Sequence, residues 1–121
     1  MDNAQATTAF AALSQQTRLD VFRLLIKAGA DGLLSGEMGE ILAVKQNTMS
    51  TNLNILLRAG LIRNQRHGRS VRYFADMQGI GGLIDYLLQD CCGGAPDQCK
   101  PIISTICGPN TNASKTQDKT E

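Results

Sequence analysis

The fold of this chain is decided by residues 46–75, QNTMSTNLNILLRAGLIRNQRHGRSVRYFA. The first half of this stretch predicts a helix, because apolar side chains recur at offsets 0, 4, 7 and 8, which share one helical face. These positions are Met49, Leu53, Leu56 and Leu57. We expect Gln46 or Asn47 to cap the helix at its start and Gly60 to end it in a left-handed conformation.

The second half of the stretch changes to the period of β-strands. Two extended runs, Leu61–Arg66 and Ser70–Ala75, flank the tripeptide His67-Gly68-Arg69, which has the composition of a hairpin turn. The sequence therefore predicts a helix followed directly by a β-hairpin.

The flanking residues predict further helices. We expect a first helix over Ala4–Leu13, a second that begins after Gln16 or Thr17 and is ended by Gly29, and a third that Ser35 caps. Asp76 caps a last helix, whose apolar stripe consists of Ile80, Leu83, Ile84, Leu87 and Leu88.

The interior of the last helix contains two adjacent glycines, Gly81 and Gly82. Each costs about 1 kcal/mol relative to Ala in a helix interior. They either allow another helix to approach closely or mark a later helix start. Gly93-Gly94 and Pro96 are expected to end the helix just after Cys92.

Charge is distributed unevenly along a chain whose formal net charge is only +1. Six basic residues and no acidic residue lie between Lys45 and Arg72, whereas the rest of the chain holds the other six basic residues and all eleven acidic ones. Such segregation indicates a surface that meets a polyanion. The polar side of the fourth helix suits phosphates and base edges. The predicted DNA contacts are Lys45, Gln46, Asn47, Thr48, Ser50, Thr51, Asn54, Arg58, Arg66, His67, Arg69 and Arg72.

Three segments of the sequence resemble the ArsR/SmtB family of metal-responsive repressors. Residues 13–19 (LSQQTRL) resemble the family's L-(S/A)-x-x-T/P-R-L. Residues 50–62 (STNLNILLRAGLI) resemble its recognition helix, S-x-H-L-x-x-L-x-x-A-G-L-(V/I). Residues 66–73 (RHGRSVRY) resemble its wing, R-x-G-R-x-V-x-Y, and the resemblance covers roughly residues 7 to 92.

The order of elements and this resemblance imply a winged helix-turn-helix fold. It is mainly α-helical, with about five helices and a two-stranded β-hairpin as the wing. The resemblance also implies a homodimer, held by the first and last helices, that binds duplex operator DNA in its metal-free form. The expected dimer contacts are Phe10, Leu13, Ile80, Leu83, Ile84, Leu87 and Leu88.

Four cysteines lie close together near the C-terminus, and the first 90 positions hold none. In a reducing compartment such a cluster is more often a metal or redox site than a disulfide framework. The third helix lacks the Cys-x-Cys of many arsenic-sensing members, and the last helix lacks the histidine ligands of zinc-sensing members. The pair Cys91-Cys92, with Cys99 shortly after, resembles a subgroup of arsenic sensors. Three thiolates complete the shell of trivalent arsenic or antimony, so we expect Cys107 to be dispensable.

Other signals and other classes of protein stay open on the sequence alone. Zinc, with Cys107 as a fourth ligand, cadmium, lead, an iron–sulfur cluster or an oxidant are alternative signals. A cytosolic metal carrier would explain the cysteines but not the acid-free basic stretch. A thiol redox enzyme would need a low-pKa cysteine, often in Cys-x-x-Cys, which this sequence lacks.

We therefore predict an arsenite-responsive repressor rather than an enzyme, with As(III) or Sb(III) as inducer and no organic cofactor. The N-terminus lacks a signal peptide and no apolar run is long enough to span a bilayer, so we expect a cytoplasmic protein with no membrane contact. The predicted division is residues 1–92 for DNA binding and dimerisation, 93–107 for metalloid binding and 108–121 as a disordered tail.

Overall fold

Two helices open the chain in the computed structural model, which describes residues 1–89. Helix α1 spans Asn3–Leu13 and helix α2 spans Gln16–Ala28. A capping box starts α1, because the Asp2 carboxylate accepts from the Gln5 backbone N–H while the Gln5 side chain accepts from the Asp2 N–H. The buried face of α1 is made of small side chains, Ala6, Ala9 and Ala12.

A helix-turn-helix follows. A 3₁₀ turn, Gly29–Asp31, and strand β1, Leu33–Leu34, lead into helix α3, Ser35–Leu42, and then into helix α4, Gln46–Arg58. Ala43, with a φ of 56°, takes the left-handed conformation that reverses the chain between α3 and α4. Each apolar side chain buried on α4 stabilises the fold by about 1.5–3 kcal/mol. The deepest of them are Met49, Leu53 and Leu56.

The C-terminal end of α4 confirms the predicted left-handed cap. Gly60 has a φ of 76°. Its N–H donates to the Leu57 carbonyl at 3.0 Å, and the Leu61 N–H donates to the Leu56 carbonyl at 3.2 Å. These two bonds form a Schellman motif, which satisfies the last carbonyls of the helix.

The N-caps of α3 and α4 differ from the prediction. The N-cap of α4 is Lys45, and neither Gln46 nor Asn47 precedes the helix. The N-cap of α3 is Leu34, so Ser35 is its first helical residue. The physical reason is that the Ser35 hydroxyl and the Gln46 carboxamide bond to each other instead of capping their own helices.

The wing is the predicted hairpin, extended by a third strand. Strands β2, Ile62–His67, and β3, Ser70–Ala75, pair in antiparallel register. Strand β1 pairs with the other edge of β3, so the sheet has the order β1-β3-β2. The two residues of β1 are too few to show an alternating pattern, which is why the sequence did not predict them. The wing is thereby joined to the segment that enters α3.

Helix α5 spans Met77–Leu88 and begins as predicted, since Asp76 Oδ1 accepts from the Gly79 N–H at 3.1 Å. Its last described helical residue is Leu88, and the predicted end just after Cys92 lies outside the described residues.

The close approach along α5 occurs at Gly79 and not at Gly81 or Gly82. A Cβ on Gly79 would overlap the carbonyl oxygen of Gly60, whereas Gly81 has no neighbour within 4 Å. At Gly82 a Cβ would make only an ordinary contact, at 3.9 Å from the Met1 side chain. The first turn of α5 thus packs against the turn that ends α4.

Residues Met1–Tyr86 form one compact unit around a single core, to which α5 contributes Leu83. A second unit begins at Leu87, and only its residues 87–89 are described. Among the helices of residues 1–89, none has both the length and the apolar character needed to cross a bilayer.

Candidate nucleic-acid interface

Helix α4 presents a polar face opposite its buried stripe. This face contains no acidic side chain, so nothing on it repels a phosphate backbone. All of the residues that the sequence assigned to it are exposed, namely Asn47, Thr48, Ser50, Thr51, Asn54 and Arg58. The structure thus brings the predicted contacts of this helix together on one accessible surface.

The start of α4 is held by α3. The Ser35 hydroxyl donates to Gln46 Oε1 at 2.7 Å, and Gln46 Nε2 donates back to the Ser35 carbonyl at 3.3 Å. The carboxamide of Gln46, a predicted DNA contact, therefore has a fixed orientation at the exposed end of the helix. Lys45, also a predicted contact, is exposed at the N-cap position.

Two other polar side chains at this end bond locally. Asn47 Oδ1 accepts from the Thr48 backbone N–H at 2.8 Å, and the Thr51 hydroxyl donates to the Asn47 carbonyl at 3.1 Å. The amide group of Asn47 and the acceptor lone pairs of Thr51 stay accessible beside these bonds, because both residues are exposed.

The wing distributes its basic side chains over two faces. Because side chains alternate along a strand, Arg66 shares a face with Val71, its partner in the register. His67 and Arg72 lie on the opposite face. The turn between the strands carries Arg69, and Arg66, His67 and Arg69 are all exposed. The tip of the wing therefore carries basic side chains on both faces.

Arg72 is only partly exposed, and its guanidinium has partners within the chain. Nη1 donates to the carbonyls of Asp31, at 3.1 Å, and Gly32, at 3.4 Å. The same nitrogen lies 4.0 Å from Glu37 Oε1. Arg72 thus connects the wing to the segment that enters α3.

Arg63, the one arginine of the acid-free stretch that was not predicted to contact DNA, also has an internal partner. Its guanidinium carbon lies 4.5 Å from the centroid of the Phe74 ring, the geometry of a cation–π interaction. Arg63 and Phe74 are direct partners in the hairpin register, so the contact stabilises the base of the wing.

The sequence did not lead us to predict a polar pair on the buried side of α4. Asn52 is only 6% exposed, and its Oδ1 accepts from Arg18 Nη1 at 3.1 Å. Arg18 Nε donates in addition to the Ala12 carbonyl at 2.7 Å. The signal was available, because Asn52 lies three residues after Met49 and one before Leu53, which places it on the apolar side of the helix.

The predicted thiolate site, Cys91, Cys92 and Cys99, lies outside the described residues, as does Cys107. Within residues 1–89 no group of three or more His, Cys, Asp or Glu side chains is placed to hold a metal ion. The metalloid site therefore stays a prediction from the sequence.

The predicted dimer contacts differ in accessibility. Phe10 on α1 is 43% exposed and Leu87 is 56% exposed. Leu83 is 2% exposed within the core of its own chain, so it has no surface to offer a partner and we remove it from the set. The remaining members are partly buried, namely Leu13, Ile80, Ile84 and Leu88.

Comparisons with known proteins agree with this geometry. The profile of a family described as a helix-turn-helix domain matches residues 13–65. The chain is 34% identical over 90 residues to the uncharacterized HTH-type transcriptional regulator YbzH of Bacillus subtilis (strain 168). The match covers 64% of this chain and 90% of that protein.

Two solved structures are similar to this chain over most of their own length. The ArsR-like transcriptional regulator from Rhodococcus sp. RHA1 is 26% identical, with a TM-score of 0.64 over 86% of this chain and 93% of that one. The chain belongs to the ArsR-type helix-turn-helix transcriptional regulators. HlyU from Vibrio cholerae N16961 is 25% identical to this regulator, with a TM-score of 0.58 over 76% of this chain and 99% of that one.

The family membership also bears on the predicted class of protein. Its relatives are transcriptional regulators and not enzymes, in agreement with the prediction. Helix α4 thus has the position of the second helix of a helix-turn-helix, and the hairpin is the wing of a winged helix-turn-helix.

Proposed function

We propose that this regulator is a repressor that binds operator DNA as a homodimer and releases it when its C-terminal cysteines bind trivalent arsenic or antimony. The DNA-binding half of the proposal is supported by one observation above all. The exposed face of α4 and the tip of the wing carry the basic and hydrogen-bonding side chains of a stretch without a single acid.

Within this proposal, α4 enters the major groove and the wing contacts the neighbouring backbone. Asn54 and Thr51 have the donors and acceptors that read base edges. Arg58, Arg66 and Arg69 supply the charge that neutralises phosphates and releases counterions. His67 donates to a phosphate rather than binding a metal, since no other candidate ligand lies beside it in the sequence.

Dimerisation would place two recognition helices on one face of the duplex, in successive major grooves about 34–36 Å apart. Its supporting observation is an open groove between α1 and α5, which leaves parts of both helices accessible to a second copy. The lining residues from these two helices are Ala4, Gln5, Thr8, Gln78 and Gly82. Phe10 adds an exposed aromatic side chain on α1.

The sensing half rests on the chemistry of the donor set. Trivalent arsenic is soft and three-coordinate, and soft thiolates are its preferred ligands. Cys91, Cys92 and Cys99 supply three thiolates within one short segment, and closing so short a loop adds little entropic cost. The ligand can release DNA only by favouring a conformer that binds DNA poorly. Because the cysteines follow α5, a helix expected to form the dimer, ligand binding would change the spacing of the two recognition helices.

The test is a titration of the protein–operator complex, formed on the DNA upstream of the regulator's own gene, with arsenite, antimonite, cadmium and zinc in turn. We expect arsenite and antimonite to weaken DNA binding by about 5–150-fold, the usual range of allosteric coupling. Cys91→Ser, Cys92→Ser and Cys99→Ser should each bind DNA normally and ignore arsenite.

Cys107→Ser is the matched control, and it should respond to arsenite as the natural protein does. Release by zinc or cadmium alone would replace the arsenic assignment with another metal. Release by an oxidant without metal would make the regulator a redox sensor. If the three serine variants still release DNA in arsenite, the cysteine assignment is wrong.

A further inference from the structure

The wing of this regulator contacts the segment that enters the helix-turn-helix, and Arg72 makes the central bonds of this contact. In the register, Arg72 stands between Gln65 of β2 and Leu34 of β1, the residue that precedes α3. A substitution at this position therefore affects the pairing of β3 with both neighbouring strands, β1 and β2.

The Arg72 guanidinium is anchored on backbone atoms. Nη1 carries two hydrogens, and the carbonyls of Asp31 and Gly32 accept from it at 3.1 and 3.4 Å. The third neighbour, Glu37 Oε1 at 4.0 Å, also accepts from the Leu34 N–H at 2.8 Å. One side chain of β3 thus contacts both the turn before β1 and the first turn of α3.

The turn that accepts these bonds has little freedom to move away. Gly32 has a φ of 61°, and a Cβ there would lie 2.5 Å from the Tyr73 carbonyl oxygen and 2.7 Å from the Phe74 ring. The backbone of β3 and the turn are therefore in direct contact beside the Arg72 bonds. The bonds of Arg72 and the close packing at Gly32 therefore act together to hold the turn against β3.

We propose that Arg72 is a positioning residue, which fixes the wing relative to the helix-turn-helix and does not itself neutralise a phosphate. This rests on the proposed DNA binding, and it reassigns one of the twelve residues that the sequence placed at the DNA. Arg72 affects the operator through Arg66 and Arg69, whose placement against the backbone depends on the wing angle.

The first test uses the free protein and needs no DNA. Amide hydrogen exchange is measured in the full chain for Arg72→Gln and for the control Arg69→Gln at the exposed wing tip. Arg72→Gln should accelerate exchange at the β1–β3 pairs and leave the slowest core amides unchanged. Arg69→Gln should leave both unchanged. Unaltered exchange in β1 and β3 of Arg72→Gln would overturn the proposal.

The second test separates positioning from charge. Operator affinity is measured over a range of salt for Arg72→Gln, Arg72→Lys and Arg69→Gln. Lysine keeps the charge, but its ammonium nitrogen lies one bond closer to the backbone than Nη1 and does not reproduce the position from which Nη1 donates to the two carbonyls. Both Arg72 variants should therefore lose affinity about tenfold with an unchanged salt slope. Arg69→Gln should make the slope shallower by about 2, because each protomer of the dimer loses one phosphate contact.

The opposite pattern overturns the proposal. A lowered salt slope in Arg72→Gln, with affinity restored in Arg72→Lys, would make Arg72 a direct phosphate contact. Normal affinity in both variants would remove it from DNA binding altogether. If the natural protein bound no duplex, the proposed function would fail, and hydrogen exchange would still decide whether Arg72 holds the wing.

Discussion

Arg18 in α2 donates a hydrogen bond of 3.1 Å to Asn52 in the middle of the recognition helix, across 34 positions of sequence. Arg18 also bonds to the last turn of α1 through the Ala12 carbonyl. A single cation thereby joins α1, α2 and α4 on the side of α4 opposite its exposed polar face. The family pattern has histidine where this chain has Asn52, so the identity of the acceptor is a feature of this sequence.

Asn52→Ala should destabilise the fold without changing the chemistry of the DNA-facing side. The expected loss is about 1–3 kcal/mol in the free energy of unfolding, because the partly buried Arg18 guanidinium loses its acceptor. Urea unfolding measures this loss. Asn54→Ala is the matched control on the same helix, and its exposed side chain should change stability by less than about 0.5 kcal/mol while weakening operator binding. Equal stability of the two variants would contradict the role given to Asn52.

The contact of Gly79 with Gly60 predicts opposite effects for two glycine substitutions in α5. Gly79→Ala should destabilise the protein by about 1–3 kcal/mol, since the new methyl group meets a backbone carbonyl that cannot rotate away. Gly81→Ala should stabilise it by up to about 1 kcal/mol through helix propensity alone. Thermal unfolding of both variants measures these opposite changes in stability. A stabilising Gly79→Ala would show that α5 does not pack tightly against the end of α4.

The reciprocal bonds between Ser35 and Gln46 predict non-additive effects on DNA binding. Ser35→Ala and Gln46→Ala should each weaken the operator complex, and the double variant should be no weaker than Gln46→Ala alone, because Gln46→Ala already removes the hydroxyl bond that Ser35→Ala removes. A double-mutant cycle of operator affinities measures this coupling. Additive losses would mean that Gln46 contacts DNA independently of Ser35.

Much of this fold could be predicted from the sequence, because its decisive signals are local. The apolar spacing of α4, the Gly60 cap and the alternating hairpin each depend on a few neighbouring residues. These signals give the position of the recognition helix and the wing, and with them most of the candidate interface.

The features that the sequence did not reveal depend on residues far apart in the chain. Strand β1 is too short for a pattern and exists because it pairs with β3. The sequence of the basic stretch did not reveal that the guanidinium groups of Arg63 and Arg72 have partners within the fold. The partner of a side chain depends on tertiary packing, which brings together residues that are distant in the sequence. The close approach at Gly79, in place of Gly81 and Gly82, likewise depends on where α4 ends.

The central claim is that the exposed face of α4 and the wing bind duplex DNA. With Arg63 and Arg72 assigned to internal contacts, four exposed cations of the basic stretch remain in each protomer, Lys45, Arg58, Arg66 and Arg69. A dimer that uses between half and all of them should show a slope of about −4 to −7 in a plot of log affinity against log salt.

The most direct measurement is therefore operator binding of the full chain over a salt series, followed by fluorescence anisotropy of a labelled duplex. Arg66→Gln should make the slope shallower, whereas Arg23→Gln, which removes an exposed charge from α2, should leave it unchanged. A slope near zero, or equal effects of the two variants, would contradict the assignment of this surface to DNA.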